Sequence, residues 1–248
     1  TNQAVSLGIA LTAMWLIANV PPQTLSRIAL PLYAAGVAML VGVALFGVVV
    51  NGSRRWLDLG VVRFQPSELM KIALPLMLAW YFQKREGKIG WADFAFAAML
   101  IAVPAGLVKR QPDLGTGLLL TASGFYVLFL AGLSWKVIVG LAALAAAAGP
   151  LMWAQLHDYQ RQRILTFIDP STDPLGAGYH TTQASIAIGS GGVVGKGWLN
   201  GTQAHLDFLP EKHTDFIFAV FGEEFGLIGN VLLVILYLVL IARAMMIA

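Results

Sequence analysis

The feature that most limits what this chain can become is its set of uninterrupted apolar runs of about twenty residues, the length a helix needs to cross the hydrocarbon core of a bilayer. Such runs, bounded by charge and by Pro/Gly punctuation, predict helices near 4–20, 28–50, 66–82, 92–109, 114–132, 136–156 and 225–247. Of the 248 residues, 58% are hydrophobic and only 12% charged, half the charge of an ordinary soluble domain. A water-soluble globule is therefore excluded. The expected fold class is all-α, a polytopic transmembrane helix bundle of about seven spans within one integral membrane domain, 1–248. The first apolar segment begins almost at residue 1 with no basic flank, so it reads as the interior of a longer chain rather than a signal peptide.

Cysteine is absent, which closes off disulfides, thiolate metal sites and thiol nucleophiles. The formal charge of +3 comes from 16 Lys and Arg scattered among the apolar segments. They make no basic face of the kind that grips nucleic acid. Alternate loops fall on opposite sides of the membrane. Short loops carrying Arg27, Lys84, Arg85, Lys88, Lys136 and Arg243 mark the cytoplasmic side by the positive-inside rule. The other side receives 51–65, the 109–113 turn and a continuous stretch from about 157 to 224. That stretch is too long and too rich in glycine, Asp-Pro and short apolar pieces to be an idle linker. It predicts a folded extracytoplasmic cap with re-entrant or interfacial helices. Cations on this side, including Arg63, Lys71, Arg161, Arg163 and Lys196, run against the topology rule and suit an anionic substrate such as a diphosphate.

Three polar constellations could carry chemistry. In Glu211-Lys212-His213-Thr214-Asp215-Phe216, Asp215 stands at the edge of an apolar run, where burial would raise a carboxyl towards general-base use. The bland alternative is a helix cap. Around Arg54-Arg55-Trp56-Leu57-Asp58, Arg63 and Gln65-Pro66-Ser67-Glu68, the Pro opens a helix, and Glu68 and Lys71 share one face. They would either line a polar cavity or merely answer the helix dipole and snorkel. In Lys109-Arg110-Gln111-Pro112-Asp113, Asp113 is either an N-cap or a site residue. Arg161 and Arg163 could fork onto phosphate oxygens or onto lipid headgroups. The glycine run 189–197 lacks Walker spacing and reads as turns and close packing. His157, His180 and His205 show no metal-ligand spacing.

Taken in order, Arg55-Trp56-Leu57-Asp58-Leu59-Gly60, Phe64-Gln65-Pro66-Ser67-Glu68, Gln111-Pro112-Asp113-Leu114-Gly115-Thr116, Asp173-Pro174-Leu175-Gly176-Ala177-Gly178-Tyr179 and Leu209-Pro210-Glu211-Lys212-His213-Thr214-Asp215-Phe216-Ile217-Phe218-Ala219 resemble the SEDS family (shape, elongation, division and sporulation). The wording Ile186-Ala187-Ile188-Gly189-Ser190-Gly191-Gly192 with Gly195-Lys196-Gly197-Trp198 is closer to the elongation branch. The resemblance implies about ten spanning helices, so the first and the last would lie outside this sequence, and such a fragment alone could be inactive. It also implies a peptidoglycan glycosyltransferase of the cytoplasmic (inner) membrane, polymerising lipid II on the outer side and partnered by a class B penicillin-binding protein. Asp215 would be the catalytic base. Arg63, Lys71, Arg161, Arg163 and Lys196 would hold the diphosphates, with Trp56 against sugar or lipid. Glu68 and Asp113 would orient those cations or a divalent cation, Mg or Mn. A lipid II transporter (flippase) or a scaffold for the penicillin-binding protein would suit the same charged cavity.

Overall fold

The computed structural model describes residues 2–50, 53–58, 63–111, 113–156, 158–172, 176–206, 208 and 214–247. It is an all-α membrane bundle. The helices are α1 (Asn2–Ala18), α2 (Pro22–Phe46), α3 (Pro66–Lys84), α4 (Trp91–Lys109), α5 (Leu114–Leu130), α6 (Trp135–Gln155), α7 (Asp158–Ile168), α8 (Ala177–Ser190), α9 (Thr202–His205) and α10 (Ile217–Ile247). Each apolar run singled out in the sequence falls largely on one of them, although 28–50 outlasts α2 by four residues. Among the described residues α2, α4 and α10 are long and apolar enough to cross a membrane, and Ala4–Ala18, Gly115–Leu130 and Trp135–Leu151 are shorter apolar helices. The large side chains of α1, from Val5 at 63% to Trp15 at 65% exposed, would be untenable in water and are ordinary against lipid.

Two compact units, 1–144 and 145–248, divide the chain. In the first, α2, α3, α4 and α5 pack around Leu40, Val43, Met70, Leu74, Leu78, Val108 and Leu120, all fully buried. Without a hydrophobic driving force between helices in lipid, close approach through small residues takes its place. Gly36 faces the Met70 sulfur, and a Cβ on Gly124 would stand 2.6 Å from Ile101 Cγ1. The Tyr33 hydroxyl donates to the Leu100 carbonyl at 2.8 Å, tying α2 to α4. Where α3 turns into α4, the nearly buried Asp93 accepts from the Tyr81 hydroxyl (2.7 Å) and the Gly90 N–H (2.9 Å), with Arg85 at 3.3 Å.

Two features depart from the sequence reading. The 51–65 loop is partly ordered as strands, and the helix expected over 28–50 stops at Phe46 so that its last residues join them: β1 (Val48–Val50), β2 (Ser53–Asp58) and β3 (Arg63–Phe64) pair antiparallel in that order, with Val49 opposite Arg54 and Asp58 opposite Arg63. Alternation there is too short for a periodic signal to stand out. The expected interfacial pieces are also not separate. Ile186–Ile188 belongs to α8, and the apolar stretch after Asp215 opens α10 itself.

That last helix is broken at Gly226, whose φ of 66° and ψ of −161° are not helical. The portion after the break, 21 residues, spans about 31 Å at 1.5 Å per residue, which alone matches a hydrocarbon core of about 30 Å. The half-helix Ile217–Phe225 is therefore not needed to cross that core. It packs through Ala219, Phe216 and Val220 against Ala184 and Ala187 of α8.

The break is closed by the glycine loop. An intact helix would bond Leu227 and Ile228 N–H to the carbonyls of Glu223 and Glu224. Here those carbonyls accept from Lys196 N–H (3.0 Å) and Gly197 N–H (2.9 Å), while Leu227 and Ile228 donate to the carbonyls of Gly192 (2.9 Å) and Val193 (3.1 Å). Such mutual approach leaves no room for side chains: a Cβ on Gly195 would collide with the Glu224 carbonyl, one on Gly191 with the Gly222 carbonyl, and one on Gly226 with the Gly195 nitrogen. Reading these glycines as close packing is consistent with this.

Candidate functional site

In the first unit, the polar ends of α3, α4 and α5 meet the strand ribbon. β2 carries Arg55 to the α4–α5 turn, where its Nε donates to the Gln111 carbonyl at 3.3 Å and its Nη1 stands 3.6 Å from Asp113 Oδ2. Asp113 also caps α5, accepting from the Thr116 N–H at 3.2 Å and the Thr116 hydroxyl at 3.0 Å. Asp113 is thus the cap of α5 and the charge partner of Arg55. Trp56 is half-buried one position further along β2.

At the start of α3, Lys71 and Glu68 pair at 2.8 Å, as their spacing predicts. Both are partly exposed, so the pair adds at most about 1 kcal/mol of stability and leaves Lys71 open to an incoming anion. Arg63 lies in β3, but its side chain is outside the described residues. Among the described residues no three acidic or histidine groups converge as for a metal. Glu68 and Asp113 each already face a cation, which a divalent ion would have to displace, so these residues do not make a ready site for Mg or Mn.

In the second unit, Asp215 is exposed and sits two residues ahead of α10, in the turn leading to the half-helix. An exposed carboxylate on a fixed helix start can reach a substrate hydroxyl and release its proton to solvent. Its neighbours Glu211, Lys212 and His213 lie outside the described residues, as do Asp173-Pro174-Leu175 and the Arg163 side chain. Arg161 turns back on α6, donating to the carbonyls of Trp153 (3.1 Å) and Ala154 (2.8 Å) with Asp158 at 3.8 Å. It satisfies carbonyls that the helix end leaves open.

Lys196 is held by a residue that sequence reasoning missed. Its Nζ lies 2.7 Å from Glu223 Oε1 and 2.7 Å from the Thr202 hydroxyl. Glu223 is completely buried and also accepts from Thr202 (3.0 Å), the Gln203 N–H (3.0 Å) and Ser190 (3.4 Å). The available signal was Glu223-Glu224 inside an apolar stretch, since ionisable residues in such segments mark polar contacts.

Comparison with known proteins places this geometry. The family model for cell cycle proteins of the FtsW, RodA and SpoVE type matches residues 1–248. The chain is 51% identical over 243 residues to the peptidoglycan glycosyltransferase MrdB of Escherichia coli K12, covering 98% of this chain and 66% of that one. It is 38% identical to the probable peptidoglycan glycosyltransferase FtsW of Methylococcus capsulatus, covering 98% and 62%. Among solved structures, a chain of a peptidoglycan synthase complex that coordinates polymerization and crosslinking superposes with a TM-score of 0.75 at 37% identity, covering 97% of this chain and 67% of that one. The Thermus thermophilus rod shape determining protein RodA superposes with a TM-score of 0.61 at 33% identity, covering 97% and 62%. The chain spans a little under two thirds of the length of these curated relatives. With its whole length matched and its identity to MrdB exceeding that to FtsW, the chain belongs to the FtsW, RodA and SpoVE family of cell cycle proteins, the SEDS family.

Proposed function

We propose that the full-length protein is a peptidoglycan glycosyltransferase that polymerises lipid II at the outer face of the cytoplasmic membrane during cell elongation. The observation carrying this reading is the 51% identity to MrdB across 98% of the chain. The exposed carboxylate of Asp215, two residues ahead of the half-helix, supports it. In the reaction, the 4-hydroxyl of the acceptor sugar attacks the anomeric carbon of the donor with inversion. The new glycosidic bond forms as the bond to the lipid-linked diphosphate breaks, and Asp215 accepts the hydroxyl proton. The departing group is already a stabilised anion, so no general acid is needed, unlike glycoside hydrolysis with its second carboxylate. Of the cations expected to hold the diphosphates, Lys71, Arg63 and Arg163 stay candidates, whereas Lys196 is engaged by Glu223 and Arg161 by the carbonyls at the end of α6; electrostatic stabilisation is the larger contribution. Trp56 offers an aromatic face to sugar or lipid.

A class B penicillin-binding protein is the proposed partner, supported by the likeness to a chain from a synthase complex that couples polymerization to crosslinking. The test is polymerisation of labelled lipid II by the purified full-length protein and its Asp215→Asn variant. General-base assistance is worth roughly 10²–10⁴-fold, and a loss of that size is expected. A variant polymerising at the parent rate would refute the assignment. Movement of lipid II across vesicles without polymerisation by the parent protein would favour a transporter instead.

A further inference from the structure

The carboxylate of Glu223 is the most enclosed charge in the second unit, and nothing in the proposed reaction uses it. Its Oε1 gathers donors from three directions: Ser190 at the end of α8, Lys196 in the glycine loop, and Thr202 with the Gln203 N–H in α9. The Thr202 hydroxyl accepts from Lys196 and donates to Glu223, closing a ring of three side chains. The other oxygen, Oε2, is buried with no hydrogen-bond partner among the described residues. It lies over Gly201, where a Cβ would come within 2.8 Å of it. A buried ion pair is commonly no more stabilising than well-packed apolar groups of the same volume. Stability alone therefore does not account for a carboxylate here, whereas fixing one geometry does.

We infer that Glu223, through Lys196, is a positioning residue for Asp215. The ring locks the half-helix Ile217–Phe225 onto the glycine loop and α9, and so sets where the carboxylate just ahead of that half-helix stands. Glu223 lies six residues into α10, about 9 Å along its axis from Ile217, and its side chain is fully buried, so it is not presented to substrate. The main-chain bonds across the break at Gly226 fix the same two segments from the other side. The half-helix is thus clamped at its far end by backbone and side chain together, while its near end carries the reactive group. The inference rests on the transferase reading for the role of Asp215. The clamp itself does not depend on it.

The test uses the full-length protein with Glu223→Gln, Glu223→Asp, Lys196→Met and the double variant Glu223→Gln/Lys196→Met. Polymerisation of labelled lipid II gives kcat and KM. Nitroxides at the exposed positions 193 and 217, introduced as cysteines after replacement of any cysteine outside this sequence, give the distance between loop and half-helix. Glu223→Gln is expected to lower kcat at least tenfold with KM within twofold, and to broaden the distance distribution. Lys196→Met is expected to be worse, because it leaves a charge buried alone, and the double variant to recover part of that loss. Should Glu223→Gln not fold, Glu223→Asp, which keeps the charge but shortens its reach, serves in its place with a smaller loss of kcat. A kcat within twofold of the parent, a tenfold rise in KM with kcat unchanged, or a lowered kcat with an unaltered distance distribution would each overturn the inference. If Asp215→Asn itself polymerises at the parent rate, the assignment of Asp215 as the base has failed and the nitroxides alone decide the clamp: an unbroadened distribution in the Glu223 variant then overturns it.

Discussion

Replacing Gly195 by alanine tests the most tightly determined contact in the second unit. At φ +79° the residue is left-handed, which costs a non-glycine side chain roughly 1–2 kcal/mol. The added Cβ would also press on the carbonyl of Glu224 and the backbone carbon of Phe225, neither of which can rotate away. Relief requires the loop to retreat from the broken helix, loosening the two bonds from Lys196 and Gly197 N–H to the carbonyls of Glu223 and Glu224. Each buried group left unpaired costs about 1–3 kcal/mol, so the total comes to roughly 3–8 kcal/mol. Gly192 is the control. It is left-handed too, at φ +55°, but a Cβ there meets nothing within 4 Å, so Gly192→Ala should show only the strain, about 1–2 kcal/mol. Thermal unfolding of the solubilised full-length protein, scanned at one rate for parent and both variants, reads the difference. At about 2–4 °C per kcal/mol for chains of this size, Gly195→Ala should melt well below Gly192→Ala. Equal midpoints would refute the idea that the loop backbone stands in for the missing helical bonds.

Other consequences are open to simpler measurement. Asp93→Ala removes the acceptor shared by Tyr81, Gly90 and Arg85 at the α3–α4 turn and should destabilise the protein by about 1–3 kcal/mol, read as a lowered melting midpoint, whereas Tyr81→Phe should cost less. Gly124→Leu forces a side chain against the buried Ile101 and should cost about 1–3 kcal/mol or abolish accumulation in the membrane, measured by the folded yield. Bonds from the Ser171 hydroxyl and N–H hold the Asp169 carboxyl below its usual range. A group depressed in the folded state stabilises above its unfolded pKa and loses that contribution as pH falls through the folded value. Protection of the Ser171 amide, measured against its intrinsic exchange rate, should therefore fall only below about pH 4, and should be reduced at all pH values in Asp169→Asn.

The spans were legible because lipid imposes a length and a composition that few other structures share. Each apolar run marked in the sequence falls largely on a helix, only the end of 28–50 passing into β1, and the 225–247 segment anticipated the lipid-matched part of α10 to within a residue or two of the Gly226 break. Glu68 with Lys71 and the capping role of Asp113 were legible too, since both depend on separations of three residues along one helix start. Arg55 meeting Asp113 and Lys196 meeting Glu223 were not. These pairs are 58 and 27 residues apart in the chain, and only the tertiary path of the ribbon and the glycine loop brings them together. The ribbon escaped notice because strands of two to six residues carry almost no periodicity. Lys196 was assigned to the diphosphates from its sign alone, and its buried carboxylate partner becomes visible only when the loop is seen lying on the helix.

The exchange of bonds at Gly226 also bears on how the protein is made. Residues 192–197 leave the ribosome before residues 223–228, so the acceptors and donors that the final segment needs already exist when it emerges. A half-helix with two open carbonyls and two open N–H groups enters the edge of a bilayer at a cost of several kcal/mol for each group. Docking on the loop offsets that cost, which couples insertion of α10 to its attachment to the earlier segment.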